Sequence, residues 1–171
     1  MKLTKHLAVP ILTASLFCLS TAAWAWEETE NVKLKSFQEV PAVSSAASGH
    51  FKAKIDEDAG TISYELTYEG LEGEVRQGHI HFGQRSVNGG ISVFLCQTTF
   101  NPDPTGLAPV CLQSGSVSGM FSAANIIGPT GQGIAAQEFA ELVKAIRAGV
   151  AYLNVHSTKF PAGEIRGQFH H

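Results

Sequence analysis

The two histidines of Gly78-His79-Ile80-His81-Phe82-Gly83 are the side chains best suited to do chemistry in this chain. As a β-strand the stretch points both imidazoles to one face, with Ile80 and Phe82 on the other. Val150 to His156 alternates in the same way: Ala151, Leu153 and Val155 share a face, and Tyr152, Asn154 and His156 share the opposite one. Ala162 to Phe169 repeats the pattern, with Ile165 and Phe169 opposed to Glu164, Arg166 and Gln168. As neighbours in one sheet, these strands would gather His79, His81, His156, Glu164 and Arg166 on a polar face supported by Tyr152 and Asn154.

Neutral imidazole is a ligand for copper and zinc, and three protein ligands with an open fourth position make a catalytic-type site. His79, His81 and His156 are therefore the candidate metal ligands. Glu164 is a candidate fourth ligand, or a residue that orients a ligating histidine from behind. The competing reading is architectural. The histidines would hydrogen-bond Glu164 or backbone carbonyls, and Glu164 would pair with Arg166 or Arg76. Arg166 on the same face opposes a dication unless Glu164 neutralises it.

No catalytic residue is assigned. Ser157 follows His156 directly, so the two point to opposite faces of a strand and form no nucleophile–base pair. Asp56-Glu57-Asp58 sits at a turn, reads as solvated, and lacks the spacing of a calcium-binding loop. Asn125 to Gly133 is glycine-rich but has no Gly-Lys-Ser/Thr ending, so it is not a phosphate cradle. The terminal His170-His171 pair would bind metal only adventitiously.

The elements that position these groups begin after an export signal. Lys2 and Lys5 precede an apolar run from Leu7 to Leu19, and Ala23-Trp24-Ala25 is a small-x-small cleavage site. Residues 1–25 are expected to be a signal peptide, which makes the mature chain secreted or periplasmic. Cys18 would leave with it, since the bulky Phe17 stands where lipidation needs a small residue. The apolar run is too short to span a membrane, and no later stretch qualifies. Cleavage removes two lysines and no acid, taking the net charge from −3 to −5. With no basic run anywhere, a nucleic-acid partner is not expected. Residues 26–171 make one domain, its core spanning about 32–169.

Cys96 and Cys111 are the cysteines that remain, and an even pair in an oxidising compartment reads as a disulfide. Their spacing is far from Cys-x-x-Cys, which disfavours a redox or thiolate metal pair. Val32 to Phe37 predicts a first strand after a loose acidic arm, and Pro41 breaks it. Gly49 to Asp56 and Thr61 to Tyr68 predict a hairpin turned at Asp58-Ala59-Gly60. Ile91 to Cys96 and Ser116 to Ser122 add further strands. Phe139, Leu142, Val143 and Ile146 form one stripe of a helix over Ala135 to Ala148, with Gly149 as its stop. Many short strands with one helix near the C-terminus predict an all-β, antiparallel sandwich or barrel.

Several of these stretches, in this order, resemble a known family. Glu39-Val40-Pro41, Gly78 to Gly83, Val87-Asn88-Gly89-Gly90, Val93-Phe94-Leu95, Ile146 to Gly149, Ala151 to Ser157 and Gly163 to Gln168 are similar to the CHRD domain, the repeat also found in chordin. The resemblance implies a Greek-key sandwich or barrel, immunoglobulin-like or similar to copper/zinc superoxide dismutase. It implies little about activity; in chordin the repeats belong to a secreted protein that binds growth factors. The expected function is a non-catalytic binding or structural module with a protein or small ligand as partner. The alternative is a copper- or zinc-binding protein, redox-active in one version, built on the histidine face. The loops Gln84 to Gly90 and Gly128 to Gly133 are the expected recognition loops.

Overall fold

The computed structural model describes residues 28–170. The expected signal segment, Trp26 and His171 lie outside the described residues. The strands are β1 (Glu28–Lys35), β2 (Ser48–Asp56), β3 (Thr61–Glu69), β4 (Val75–Phe82), β5 (Gly90–Cys96), β6 (Gly115–Ser122), β7 (Ala151–Ser157) and β8 (Ile165–Gln168). One helix, α1 (Phe139–Arg147), precedes β7. All eight strands form one antiparallel sheet in the order β5-β4-β7-β8-β1-β2-β3-β6.

The sheet curls until its two edges nearly meet. The chain leaving β6 turns back onto β5: Ile127 N–H donates to Ser92 O at 2.9 Å, and Val93 bridges Ile126. From β3, the Tyr64 hydroxyl crosses the interior to the Leu95 carbonyl of β5 at 2.5 Å. Edge pairing is thereby covered, and a barrel-like interior holds Leu34, Phe51, Leu66, Ile80, Leu95, Leu153 and Ile165, all buried. This antiparallel, all-β architecture with a helix near the C-terminus is the one the alternating pattern predicts.

The two halves of the barrel wall differ. β1, β2, β3 and β6 alternate buried with exposed or partly exposed residues, as strands with one wet face should. In β7 and β8 every residue is buried. Their outer, polar face is covered by loops, and this polar layer is the feature that positions the site.

Three boundaries differ from the sequence expectation. β1 starts at Glu28, not Val32, because the acidic arm pairs in register with β2, Glu28 opposite Ile55. Arg147 completes that arrangement by reaching both Glu28 and Glu57. β4 starts at Val75, three residues before the Gly78 to Gly83 stretch singled out in the sequence. The helix starts at Phe139, not Ala135: Gln137 takes a left-handed φ of 69° while its N–H pairs with Ile126 O, which no helical turn permits. Cys96 and Cys111 are disulfide-bonded across a separation of 15 residues.

Candidate metal centre

β4 lies beside β7 and β7 beside β8, so the three polar rows fall on one face. Asn154 stands opposite His79 and Arg166, and Tyr152 stands opposite His81 and Gln168. His156 follows two residues along, diagonal to His79. One ligand nitrogen from each of His79, His81 and His156 lies within 4.8 Å of the other two. All three histidines are buried. Sequence alternation puts the three histidines on polar faces, and the pairing of β4 with β7 brings them together.

Backbone carbonyls face the Nδ1 atoms of two of them. His81 Nδ1 donates to the Gly89 carbonyl at 3.0 Å, which leaves its Nε2 a lone pair, buried and without a partner. His156 Nδ1 faces the Pro161 carbonyl at 3.0 Å, and the tautomer with its proton there offers Nε2. His79 Nδ1 lies 3.2 Å from His156 Nε2, and His79 Nε2 has no partner. Carbonyl oxygens behind the ring, holding the far nitrogen protonated and the near one free, are what orient metal-ligating histidines.

His156 is in an unusual position. Its Nε2 lies 2.9 Å from Asn154 Oδ1 while its Nδ1 lies 3.0 Å from Pro161 O. A neutral imidazole has one proton, so one of these nitrogens faces an oxygen with a lone pair. Rotating the Asn154 amide by half a turn would cure this only by setting its oxygen against the Glu39 carboxylate, which the amide N–H otherwise favours. Protonating His156 a second time is opposed by burial, which pushes its pKa down. Burial does the same to His79, pushed down to about 2, with His156 and His81 adding repulsion. His81 falls to about 4, again mainly through burial. All three imidazoles are neutral at ordinary pH, the form that binds metals.

Glu164 does not join the group. Its Oε1 accepts from Ser45 Oγ at 2.7 Å and from the Glu72 N–H at 2.8 Å, tying down two loops. Arg166 does not pair with it either. The guanidinium donates to Asn88 Oδ1, Gln84 O and Val87 O, clamping the loop 84–90 over the polar face. Gln168 Nε2 likewise donates to the carbonyls of Gly83, Gly149 and Ala151. The loop 84–90 is thus tied to the polar face by Arg166, and Gln132, from the second expected loop, ties to Gly90 and Phe82. His170 contacts Arg85, away from the trio.

Glu39 is the carboxylate that sequence reasoning missed. It is buried near Arg166 and Asn154, and desolvation pushes its pKa up to about 7 against the opposing pull of Arg166 and Asn154. Only its place in a Glu-Val-Pro segment marked it, and nothing in the spacing ties that segment to β7.

The motifs laid out along these strands match a family profile, that of the CHRD domain, over residues 31–169. The chain belongs to the CHRD domain family. In this CHRD domain the matched region takes in β2 to β8, the helix and all three histidines. No curated protein and no solved structure matches the chain significantly. Among the described residues, no helix is long and apolar enough to cross a membrane.

Proposed function

We propose that the chain is a secreted or periplasmic, non-catalytic binding module of the CHRD family. The polar face serves mainly to hold loops in place, as Arg166, Gln168 and Glu164 do. What the domain presents outward is different in kind. Phe100, Leu107, Val110 and Leu112 are each more than half exposed; the first three lie on the segment closed by the Cys96–Cys111 bridge and Leu112 directly follows it. Four large apolar side chains held in water on or beside one stapled segment are the observation that carries the reading, because such surface marks association sites. The partner that fits them is a protein with an apolar contact surface.

Site-specific photo-crosslinking tests this. A photoreactive residue at Phe100 should yield a discrete adduct in cells that produce the protein, whereas one at exposed Lys52 should not. No adduct at either position, or equal labelling at both, contradicts it.

The histidine trio favours a second and more specific reading within the first: the module holds a copper or zinc ion. The observation behind it is the convergence of His79, His81 and His156, one ligand nitrogen of each within 4.8 Å of the others, with the Nε2 atoms of His79 and His81 buried and without a partner. Equilibrium metal binding to the folded protein, with and without His81→Ala, tests it.

A further inference from the structure

Asn154 stands within the histidine trio, not beside it. Its Oδ1 is 2.9 Å from His156 Nε2, and the same side chain acts on His81, though from too far to partner His81 Nε2. It is 2% exposed and sits on β7 directly opposite His79. In the tautomer that puts the His156 proton on Nδ1, toward Pro161 O, the His156 Nε2 and Asn154 Oδ1 lone pairs face each other, with His79 Nδ1 3.2 Å from the same Nε2. Two such lone pairs repel in a buried site, and a cation between them turns the repulsion into coordination. The amide's other end faces Glu39, a contact that draws electron density toward Oδ1 and strengthens it as a donor.

We propose that Asn154 Oδ1 is the fourth donor of a tetrahedral zinc site completed by His79, His81 and His156. The proposal rests on the metal reading above and narrows it. Three imidazoles and an amide oxygen, with no thiolate among them, suit Zn²⁺ better than softer or planar-coordinating ions. Four protein donors close the coordination shell, and closed shells are the mark of structural zinc sites; catalytic ones keep a position for water. The site would therefore hold the polar layer together without activating a nucleophile. The fourth ligand expected from sequence, Glu164, is not needed, since its carboxylate holds Ser45 and Glu72.

The test is a Zn²⁺ and Co²⁺ titration of the full chain carrying His170→Ala and His171→Ala, which remove the terminal imidazoles. With Asn154 intact, one Zn²⁺ per chain is expected, and the Co²⁺ form should show intense tetrahedral visible bands that azide does not alter. Asn154→Leu should weaken Zn²⁺ about 10- to 100-fold and let azide change the cobalt spectrum, because a position opens. Asn154→Asp should restore the affinity. Wild-type affinity and spectrum in Asn154→Leu overturn the fourth-donor proposal and leave the metal reading standing. Weakened binding in both variants with an azide-silent spectrum also overturns it, since Asn154 would then act through packing. If Asn154→Leu does not fold, zinc-edge X-ray absorption of the intact protein decides. Four light donors including three imidazoles support the proposal, and five or six donors contradict it. If the folded, intact protein takes up neither ion, the metal reading itself fails.

Discussion

Tyr152 lies flat against His81, ring centroids 4.7 Å apart and planes within 4°, and the Arg166 guanidinium stacks on the same tyrosine at 3.4 Å from its centroid. The Tyr152 hydroxyl accepts from the Gly89 N–H at 3.2 Å, and the Gly89 carbonyl in turn accepts from His81. One residue thus holds the imidazole by its face and the loop that fixes its proton by its edge. The candidate ligand, the tyrosine and the arginine clamp form one packed unit, so damage to any of them should reach the others.

Arg166→Leu removes the donors that satisfy the Gln84 and Val87 carbonyls and the Asn88 side chain. Losing these part-buried, charge-assisted hydrogen bonds, all made to one loop, should cost about 2 kcal/mol in urea unfolding. Hydrogen exchange over residues 84–90 should rise at the same time. Arg166→Lys should not recover the loss, because an ammonium lacks the planar fork that reaches three acceptors and stacks on a ring.

Gly163→Ala should damage the site from a distance. Gly163 has φ of 129°, and a Cβ there would meet the Glu39 carboxylate and lie 2.7 Å from Asn154 Nδ2. Backbone strain and the clash together should cost roughly 2 kcal/mol in thermal or urea denaturation. Because Asn154 must shift, zinc affinity should fall as well. A fully stable variant with unchanged zinc affinity would contradict the packing described.

Cys96→Ser with Cys111→Ser reopens a loop of 15 residues' separation. In the chain-entropy account this should cost about 3 kcal/mol, read as a lower urea midpoint that reducing agent does not lower further. The trio should still bind metal, since neither cysteine lies in it.

Tyr64 and Tyr68 supply a pH signature. Burial raises both hydroxyls, Tyr68 to about 12, while their unfolded values lie near 10. The folded state holds these protons more tightly, so their contribution to stability is level below pH 10 and is lost as pH rises above it. In a Tyr152→Phe background the tyrosinate ultraviolet band should stay absent until the protein unfolds, then rise together with the loss of β-sheet circular dichroism. A gradual rise near pH 10 in folded protein would contradict the burial of both rings.

Period-two alternation carried much of the architecture. Phe51, Ala53 and Ile55 in β2, Ile80 in β4 and Leu153 in β7 face the interior as their spacing requires, and the same spacing sends the histidines outward. Alternation says which face a side chain takes, not what covers that face. So the burial of Arg166 under the loop 84–90 was illegible, as was the capture of Glu164 by Ser45 and Glu72, which come from distant loops. The acidic start of β1 was illegible for another reason. Glu28 and Glu30 look like solvated arm residues until a register with β2 and a partner such as Arg147 exist to hold them. The helix start failed on one residue, Gln137, whose left-handed backbone follows from its tertiary bond to Ile126.

The claim on which the account turns is that His79, His81 and His156 hold a metal ion. Metal content of the protein purified from a full-length expression, with His170→Ala and His171→Ala in place, tests it most directly. The account predicts one equivalent of zinc or copper per chain that survives dialysis and disappears in His81→Ala folded to the same circular dichroism spectrum. Metal-free protein that gains no thermal stability from added Zn²⁺ or Cu²⁺, or metal retained undiminished in His81→Ala, would contradict it.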